Sequence, residues 1–348
     1  MTTDDTQPAP LDDYRVRAYA DGDETAILDL FRRAFHVERS VERWRWAYAE
    51  NPYGNRRASL AVDAAGGVVA HYAGYPVRFW SDADGAGRSF EAQHVGDTMT
   101  APGVRGVGRR ASSLLALTMR HFYATWCSGR VAFNFGVNTG KIQRFSRRTA
   151  GALRFEEVAY RVRPLAATGS APWPAPGPLR RRFAGWGVER IAAWDERFDD
   201  LFARVRGAYR FLVERDRRYL AWRYGAFPET GFAAWAVSRR GRLAGWGVFR
   251  RRGERLVWGD ALFDPAEPRA PALLLAGATE AAENRGVDAV EGWFPDRPPW
   301  WSERLAALGF ERRPEPQDLG VVYVPFEVDP GPAMAEHWYY TKGDFDLF

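Results

Sequence analysis

An internal repeat narrows the fold of this 348-residue chain more than any other feature. Trp46 and Tyr48 stand in WAYAENPYG, followed by the apolar run ASLAV, a Gly66-Gly67 turn and VVAHYAGYPVRF. Trp222 and Tyr224 stand in WRYGAFPETG, followed by FAAWAV, an RRGR turn and LAGWGVFRR. Each copy then reaches a Gly-Asp pair in a strand-like run, HVGDTMT around Asp97 and VWGDALFD around Asp260. Each closes on an aromatic after a short helical stretch, at Phe155 and Phe310. A period of ~175 residues is far too long for a solenoid and implies a duplicated domain. Length agrees, because single cores stop growing beyond roughly 250–300 residues. The Pro-, Gly- and Ala-rich AATGSAPWPAPGPL (166–179) is the clearest composition break. The expected organisation is therefore one domain over 12–165, a second over 180–330, and a C-terminal strap over 331–348.

Periodicity gives a mixed α/β reading of the first half. YRVRAYA (14–20) reads as a strand, and GDETAILDLFRRAF (22–35) as a helix with Ile27, Leu30 and Phe31 on one face. ASLAVDA and VVAHYAGYPVRFW form a hairpin around the glycine turn. SFEAQHVGDTMT (89–100) is a strand, RASSLLALTMRHFYATW (110–126) a helix and VAFNFGV (131–137) a strand. GKIQRFSRRT (140–149) is a short helix and FEEVAYRVRPL (155–165) the last strand. The second half reads similarly.

Composition excludes several classes. The chain is 46% hydrophobic and 27% charged, which fits a globular protein rather than a largely disordered one. Its net charge of +5 is modest, with arginines in short runs such as RGVGRR and LRRRF. These suit a solvated surface or an anionic partner; nucleic acid would call for a basic stripe with a recognisable reading module. Cys127 is the one cysteine, so no internal disulfide and no cysteine-rich metal site can form. Its place at a helix end favours a buried thiol over a nucleophile. The acidic MTTDDTQPAPLDD start carries no apolar run, and no stretch of 18 apolar residues crosses a membrane. The expected compartment is the cytoplasm.

The chemistry concentrates in TMTAPGVRGVGRRASSLLALTM (98–119). Pro102 removes a backbone donor where sheet pairing should stop, and Gly106 and Gly108 let the main chain turn tightly against a ligand. A helix beginning near Arg109 or Arg110 would aim unpaired N–H groups at an anion, with Arg105, Arg109 and Arg110 around it. That combination suits a diphosphate, although a surface turn with solvated arginines has the same composition. The spacing is neither GxGxxG nor GxxxxGK[ST].

PGVRGVG (102–108), between a strand and a helix, resembles the acyl-CoA binding motif of the GCN5-related N-acetyltransferase (GNAT) superfamily, roughly R/Q-x-x-G-x-G/A. Arg105 and Gly108 match its first and fourth positions. Arg110 stands at the sixth, where a small residue is usual, and Ala111 comes one residue late. NTGKIQRFSRRTAGALRF (138–155) resembles the asparagine-led strand end, helix and closing segment of the family, and SERLAALGFERR (302–313) repeats it. The resemblance covers nearly the whole chain. It implies two tandem GNAT-like α/β domains, each a mixed, mainly antiparallel sheet flanked by helices. It also implies acetyl-CoA or another acyl-CoA as co-substrate, and no metal. Thr98, Met99 and Thr100 would contact the pantetheine arm, and Arg105, Gly106, Val107, Gly108, Arg109, Arg110 and Ala111 would cradle the pyrophosphate. The second half has DPAEPRAPALL (264–274) where glycine-framed donors should be, and reads as degenerate for CoA.

Acyl transfer to an amine needs a route for the amine's proton and stabilisation of the developing charge. Asp97 is the first candidate base, with Glu91 and His94 on the same strand; the alternative for Asp97 is a structural sheet carboxylate, as Asp260 suggests. Strand parity places His94 opposite Glu91 and Asp97. The tyrosine acid of the family falls here on Phe145 and Ser146, a departure that leaves Tyr123, otherwise a core or helix-end residue, or a tyrosine of the second half as a substitute. Asn138 would either bond to the pantetheine arm or cap the next helix. AEHWYYTKGDFDLF (335–348) would be a packed strap or a tail offering Tyr339, Tyr340, Asp344, Asp346 or its carboxylate to the first domain's cleft. The expected activity is N-acyl transfer, acetyl for preference, by direct attack in a ternary complex. The acceptor would be a small-molecule amine, such as an amino sugar or peptide amine, and self-association into a homo-oligomer stays open. The rival is a non-catalytic scaffold that binds CoA or an anion.

Overall fold

The structure, a computed structural model, describes residues 10–105, 107–108, 113–165, 173–175 and 184–348. It divides into two compact units. Unit 1 takes the chain up to Val77, Glu91–Glu156 and Gly320–Pro330; unit 2 takes Arg78–Phe90, Glu157–Leu319 and Gly331–Phe348.

The chain begins with β1 (Arg15–Ala18) and α1 (Glu24–Phe35), which buries Ile27 and Leu30 and ends at His36 in a left-handed conformation. Ser40 caps α2 (Val41–Trp44) by accepting from the Arg43 N–H at 3.1 Å, and α2 runs directly into a π-helical turn, Arg45–Ala49. β2 (Ala58–Val62), β3 (Val68–Ser81) and β4 (Arg88–Thr100) follow, then α3 (Leu114–Trp126), β5 (Phe133–Thr139), α4 (Gly140–Ala150), β6 (Leu153–Glu157) and β7 (Tyr160–Pro164). The second half repeats the order. β8 (Trp186–Arg190) and the helix Glu196–Tyr209 lead to β9 (Phe211–Val213) and the helix Arg217–Leu220, which Asp216 caps and a π-helical turn extends. β10 (Phe232–Arg239), β11 (Arg242–Arg252) and β12 (Arg255–Phe263) come next, then the helix Ala270–Glu280 and β13 (Ala289–Trp293). The helix Pro299–Ala307, β14 (Glu311–Arg312), β15 (Leu319–Pro325) and the helix Gly331–His337 complete the chain's main elements.

The two sheets are ordered β1-β2-β3-β4-β5-β15-β6 and β14-β7-β13-β12-β11-β10-β8, with β9 joining the first by pairing to Phe79–Ser81 of β3. Neighbours such as β1–β2, β2–β3 and β11–β12 are antiparallel, while β4–β5 and β12–β13 are parallel. In unit 1, α3 packs on β1 and β2 and buries Leu114, Met119 and Phe122 beside Tyr72. In unit 2 the helix Ala270–Glu280 is buried on almost every side, and Trp246, Trp258 and Trp301 fill the core.

One strand departs from the sequence reading. FEEVAYRVRPL was expected as the last strand of the first half, but it splits into β6 and β7. β7 pairs antiparallel with β13, from Ala289↔Pro164 to Trp293↔Tyr160. In the unit 1 sheet β15, from the end of the second half, stands between β5 and β6. Arg161 explains the choice: its buried guanidinium donates to the Phe294 carbonyl at 2.9 Å and pairs with Asp296. Those partners exist only in unit 2.

Candidate active site

In unit 1, the β4–β5 register covers Gln93↔Asn134 and His94↔Phe135. β4 continues to Thr100 and β5 to Thr139, and the strands part to form a cleft. Its walls are Val95 and Thr98 of β4, Asn134, Phe135 and Asn138 of β5, Met119 and Tyr123 of α3, and Ile142, Phe145 and Ser146 of α4. An apolar lining with a few convergent polar groups is what a small-molecule site needs. The Tyr123 and Tyr72 hydroxyls lie 2.9 Å apart at one wall. Burial raises the pKa of both, so both stay protonated and act as hydrogen-bond partners rather than anions. Asn138 donates to Ser146 Oγ at 3.2 Å, eight residues along the chain. It therefore does not cap α4, whose N-cap position is Thr139.

Of the strand residues assigned to the pantetheine arm, Thr98 lines the cleft, Met99 is buried and Thr100 is half-buried. After β4 the chain makes a tight helical turn over Pro102–Val104. Arg105 is exposed, its guanidinium reaching the Ala34 carbonyl at 3.4 Å. Val107 is buried and Gly108 takes φ 77°, a left-handed conformation that glycine adopts without steric cost. Gly106, Arg109, Arg110 and Ala111 lie outside the described residues. The expected helix start near Arg109 or Arg110 falls on these residues, and the next described element is α3. It begins at Leu114, with Ser113 as N-cap accepting from the Ala116 N–H at 3.4 Å, while the Leu114 N–H closes the turn onto the Val107 carbonyl at 3.1 Å. Serine before an apolar run is a helix-start signal that was present in ASSLL.

Asp97, Glu91 and His94 do not line the cleft. Glu91 pairs with Arg57 at 2.8 Å, and Arg57 also reaches Gln93. His94 is buried between the rings of Tyr75, stacked at 4.8 Å, and Phe135. Asp97 is held by the Arg39 guanidinium and by the Tyr48 hydroxyl at 2.8 Å, while its carbonyl accepts from His71 Nδ1 at 2.8 Å. Burial alone would raise the Asp97 pKa, but Arg39 outweighs it and keeps the carboxyl below its ordinary value. His71 is pushed the other way by burial and stays neutral. The parity expectation fails at one point. Asp97 has φ 51°, which works as a bulge and brings Thr98 round to the side of Val95. Asp97 then faces Tyr48, whose ring adjoins Tyr75 and so the surroundings of His94.

Unit 2 repeats this cluster. Arg215 Nε pairs with Asp260 at 2.9 Å and the Tyr224 hydroxyl donates to Asp260 at 2.7 Å. Sequence reasoning paired Asp97 with Asp260 and Tyr48 with Tyr224, but missed Arg39 and Arg215. The signal was there: Glu38-Arg39 and Glu214-Arg215 both stand nine residues ahead of the tyrosine (48 − 39 and 224 − 215). The tail completes the second cluster. Thr341 donates to Asp260 at 2.9 Å, Asp344 takes the far side of Arg215 at 2.7 Å, and Arg223 donates to the Gly343 carbonyl at 2.9 Å. A side chain at Gly259 would run into the Phe348 ring.

Among the described residues no group of acidic, histidine or cysteine side chains could hold a metal ion. Cys127 is buried, and burial pushes its thiol up to about 12. No helix among those residues is long and apolar enough to cross a membrane.

Several solved structures share this fold. A probable N-acyltransferase from Enterococcus faecalis V583, a conserved protein of unknown function, is similar at 13% identity and a TM-score of 0.64, over 90% of this chain and 73% of that one. A GCN5-related N-acetyltransferase from Kribbella flavida is similar at 15% identity and a TM-score of 0.65, over 93% and 74%. Saccharomyces cerevisiae N-myristoyltransferase with bound myristoyl-CoA is similar at 11% identity and a TM-score of 0.59, over 94% and 82%. No curated protein matches the sequence of this chain. Residues 15–144 match the family model described as an acetyltransferase (GNAT) domain, and with both sheets built on one plan the chain has the tandem GNAT-like α/β fold.

Proposed function

We propose that unit 1 is an acyl-CoA-dependent N-acyltransferase, with acetyl-CoA as the first donor to try. The observation that carries this is the cleft where β4 and β5 part, lined by Thr98, Asn138, Met119 and Tyr123. The pantetheine arm would lie along Thr98–Thr100 with Asn138 opposite. The pyrophosphate would take the turn from Arg105 through Ala111, including Gly106, Val107, Gly108, Arg109 and Arg110. Unit 2, with its proline-bearing helix start at Pro271, would be degenerate for CoA.

In the proposed reaction the amine nitrogen attacks the thioester carbonyl carbon, so that a C–N bond forms and the C–S bond breaks. Asp97, held ionised beside Arg39 but outside the cleft lining, would receive the proton of the attacking nitrogen through a water rather than by direct contact. The Tyr123 hydroxyl stabilises the departing thiolate, which takes a proton from water. Direct attack is favoured over an acyl-enzyme because Cys127 is a buried thiol and not a thiolate. Phe145 and Ser146, at the place of the family's tyrosine, favour the scaffold reading instead; activity decides between the two.

The test is calorimetric titration of CoA into the wild type and Gly108→Glu. Wild type should bind, and the variant should bind at least about tenfold more weakly, since a carboxylate would face the pyrophosphate. Equal affinity, or none in wild type, removes the site.

A further inference from the structure

We infer that the cleft of unit 1 continues under α4 into an apolar lobe against β15, and that this lobe takes the alkyl chain of the donor, an unbranched acyl group several methylenes longer than acetyl. The inference rests on the acyltransferase reading and narrows its donor class. It starts from α4, an 11-residue helix with Ile142 and Phe145 on one side and Arg144, Arg147 and Arg148 exposed on the other. A helix that short draws most of its stability from burying its apolar face. Yet none of its described side chains, from Ile142 to Ala150, is buried, and Ile142 is 42% exposed. Two other helices bury theirs: α3 sinks Leu114, Met119 and Phe122 into its core, and Pro299–Ala307 of unit 2 sinks Trp301 and Leu305. Pro299–Ala307 follows β13 as α4 follows β5, and its Trp301 ring lies 5.7 Å from those of Trp258 and Phe294. In unit 1, Ile142 and Phe145 face an opening instead.

What the opening holds follows from its walls and its position. Beyond Thr98 and Asn138 it reaches Ala152 and, on β15, Val322 and Val324, which share one face of that strand. β15 is the next strand after β5 in the sheet, and so stands about 5 Å beyond it. With the thioester where β4 and β5 part, an acetyl group ends one methyl past its carbonyl and leaves the lobe empty. A chain of several methylenes crosses to β15 and covers the apolar side of α4. A polar occupant would lose its water against Ile142, Phe145, Val322 and Val324 with no hydrogen bond from those side chains in return. Asn138 and Ser146, also in the cleft, are bonded to each other. The lobe is continuous with the site proposed for the thioester, so its occupant arrives on the donor itself.

The experiment is calorimetric titration of the full chain with CoA, acetyl-CoA, butyryl-CoA and octanoyl-CoA. Octanoyl-CoA should bind at least about tenfold more tightly than acetyl-CoA, with butyryl-CoA between them, because each fully buried methylene is worth roughly fourfold. In Ile142→Asn, whose amide is uncharged and so does not repel the CoA phosphates, the octanoyl-to-acetyl ratio should fall at least about threefold. Ile142→Leu should restore it. A series that is flat or falls with chain length, on a protein that binds CoA, overturns the inference and leaves acetyl as the donor. A rising series that Ile142→Asn does not touch overturns the placement under α4. The wild-type series decides the matter of chain length even if Ile142→Asn does not fold. Failure to bind CoA and all three acyl-CoAs would instead strike the acyltransferase reading, and the inference with it.

Discussion

The two units part their sheets at the same place and then treat the opening differently. In unit 1 the residue two before the aspartate is Val95, and the space beyond it is a cleft reaching Tyr123 and Asn138. In unit 2 the same position is Trp258, fully buried, with ring centroids of Phe294 at 4.8 Å, Trp301 at 5.7 Å and Phe310 at 5.9 Å around it. The aspartate clusters differ in the same sense: Asp97 keeps a partly open surface, and Asp260 lies beneath the tail. Duplication has thus produced one unit with room and one that supplies its own filling. A filled opening contributes buried apolar area and satisfied charges; an open one gives these up in favour of a ligand.

The largest effect expected from this contrast is on stability. Arg215 holds two buried carboxylates, so Arg215→Met leaves both without their cation and should cost about 3–5 kcal/mol. Arg39→Met removes a partly exposed cation from one carboxylate that keeps its Tyr48 bond, and should cost about half as much or less. Urea unfolding of the two variants reads the difference directly. Equal losses would show that the tail adds nothing to the second cluster.

Next in size is the effect on the cofactor. Val95→Trp copies into unit 1 the residue that fills unit 2, and should weaken CoA binding by about 100-fold, roughly 2.7 kcal/mol. Circular dichroism should remain that of a folded chain. A Val95→Trp protein that binds CoA as the wild type does would show that the cofactor does not use this cleft.

How much of this was legible follows from the range of each signal. Period-two strands, the Gly66-Gly67 turn and the repeated Gly-Asp pairs are local, and they led to two similar sheets. The exchange of β7 and β15 was not legible, because the alternation of YRVRP suits a strand of either sheet and the choice falls to Arg161 contacts more than 130 residues away. Strand parity misplaced Asp97 because one residue at φ 51° resets the alternation without leaving a mark on it. The Ser113 cap that opens α3 at Leu114 was legible as a serine just before an apolar run. Arg39 needed both halves to be aligned on Glu-Arg as well as on Trp and Tyr.

The smallest expected effect is also the most diagnostic, because the two clusters should respond to pH with opposite sign. Burial pushes the Asp344 carboxyl up to about 6 against the pull of Arg215, from an ordinary value of 3.8. A raised carboxylate stabilises the fold fully below its unfolded value and loses that contribution as pH rises, here between about 4 and 6. Asp97 is lowered, so its contribution is present above about 4 and lost as pH falls below it. In thermal unfolding from pH 3 to 7, Asp344→Asn should flatten the decline between pH 4 and 6 by a few degrees, and Asp97→Asn should flatten the loss on the acid side. If Asp344→Asn leaves the curve between pH 4 and 6 unchanged in shape, the tail carboxylate does not share the buried charge of the second cluster.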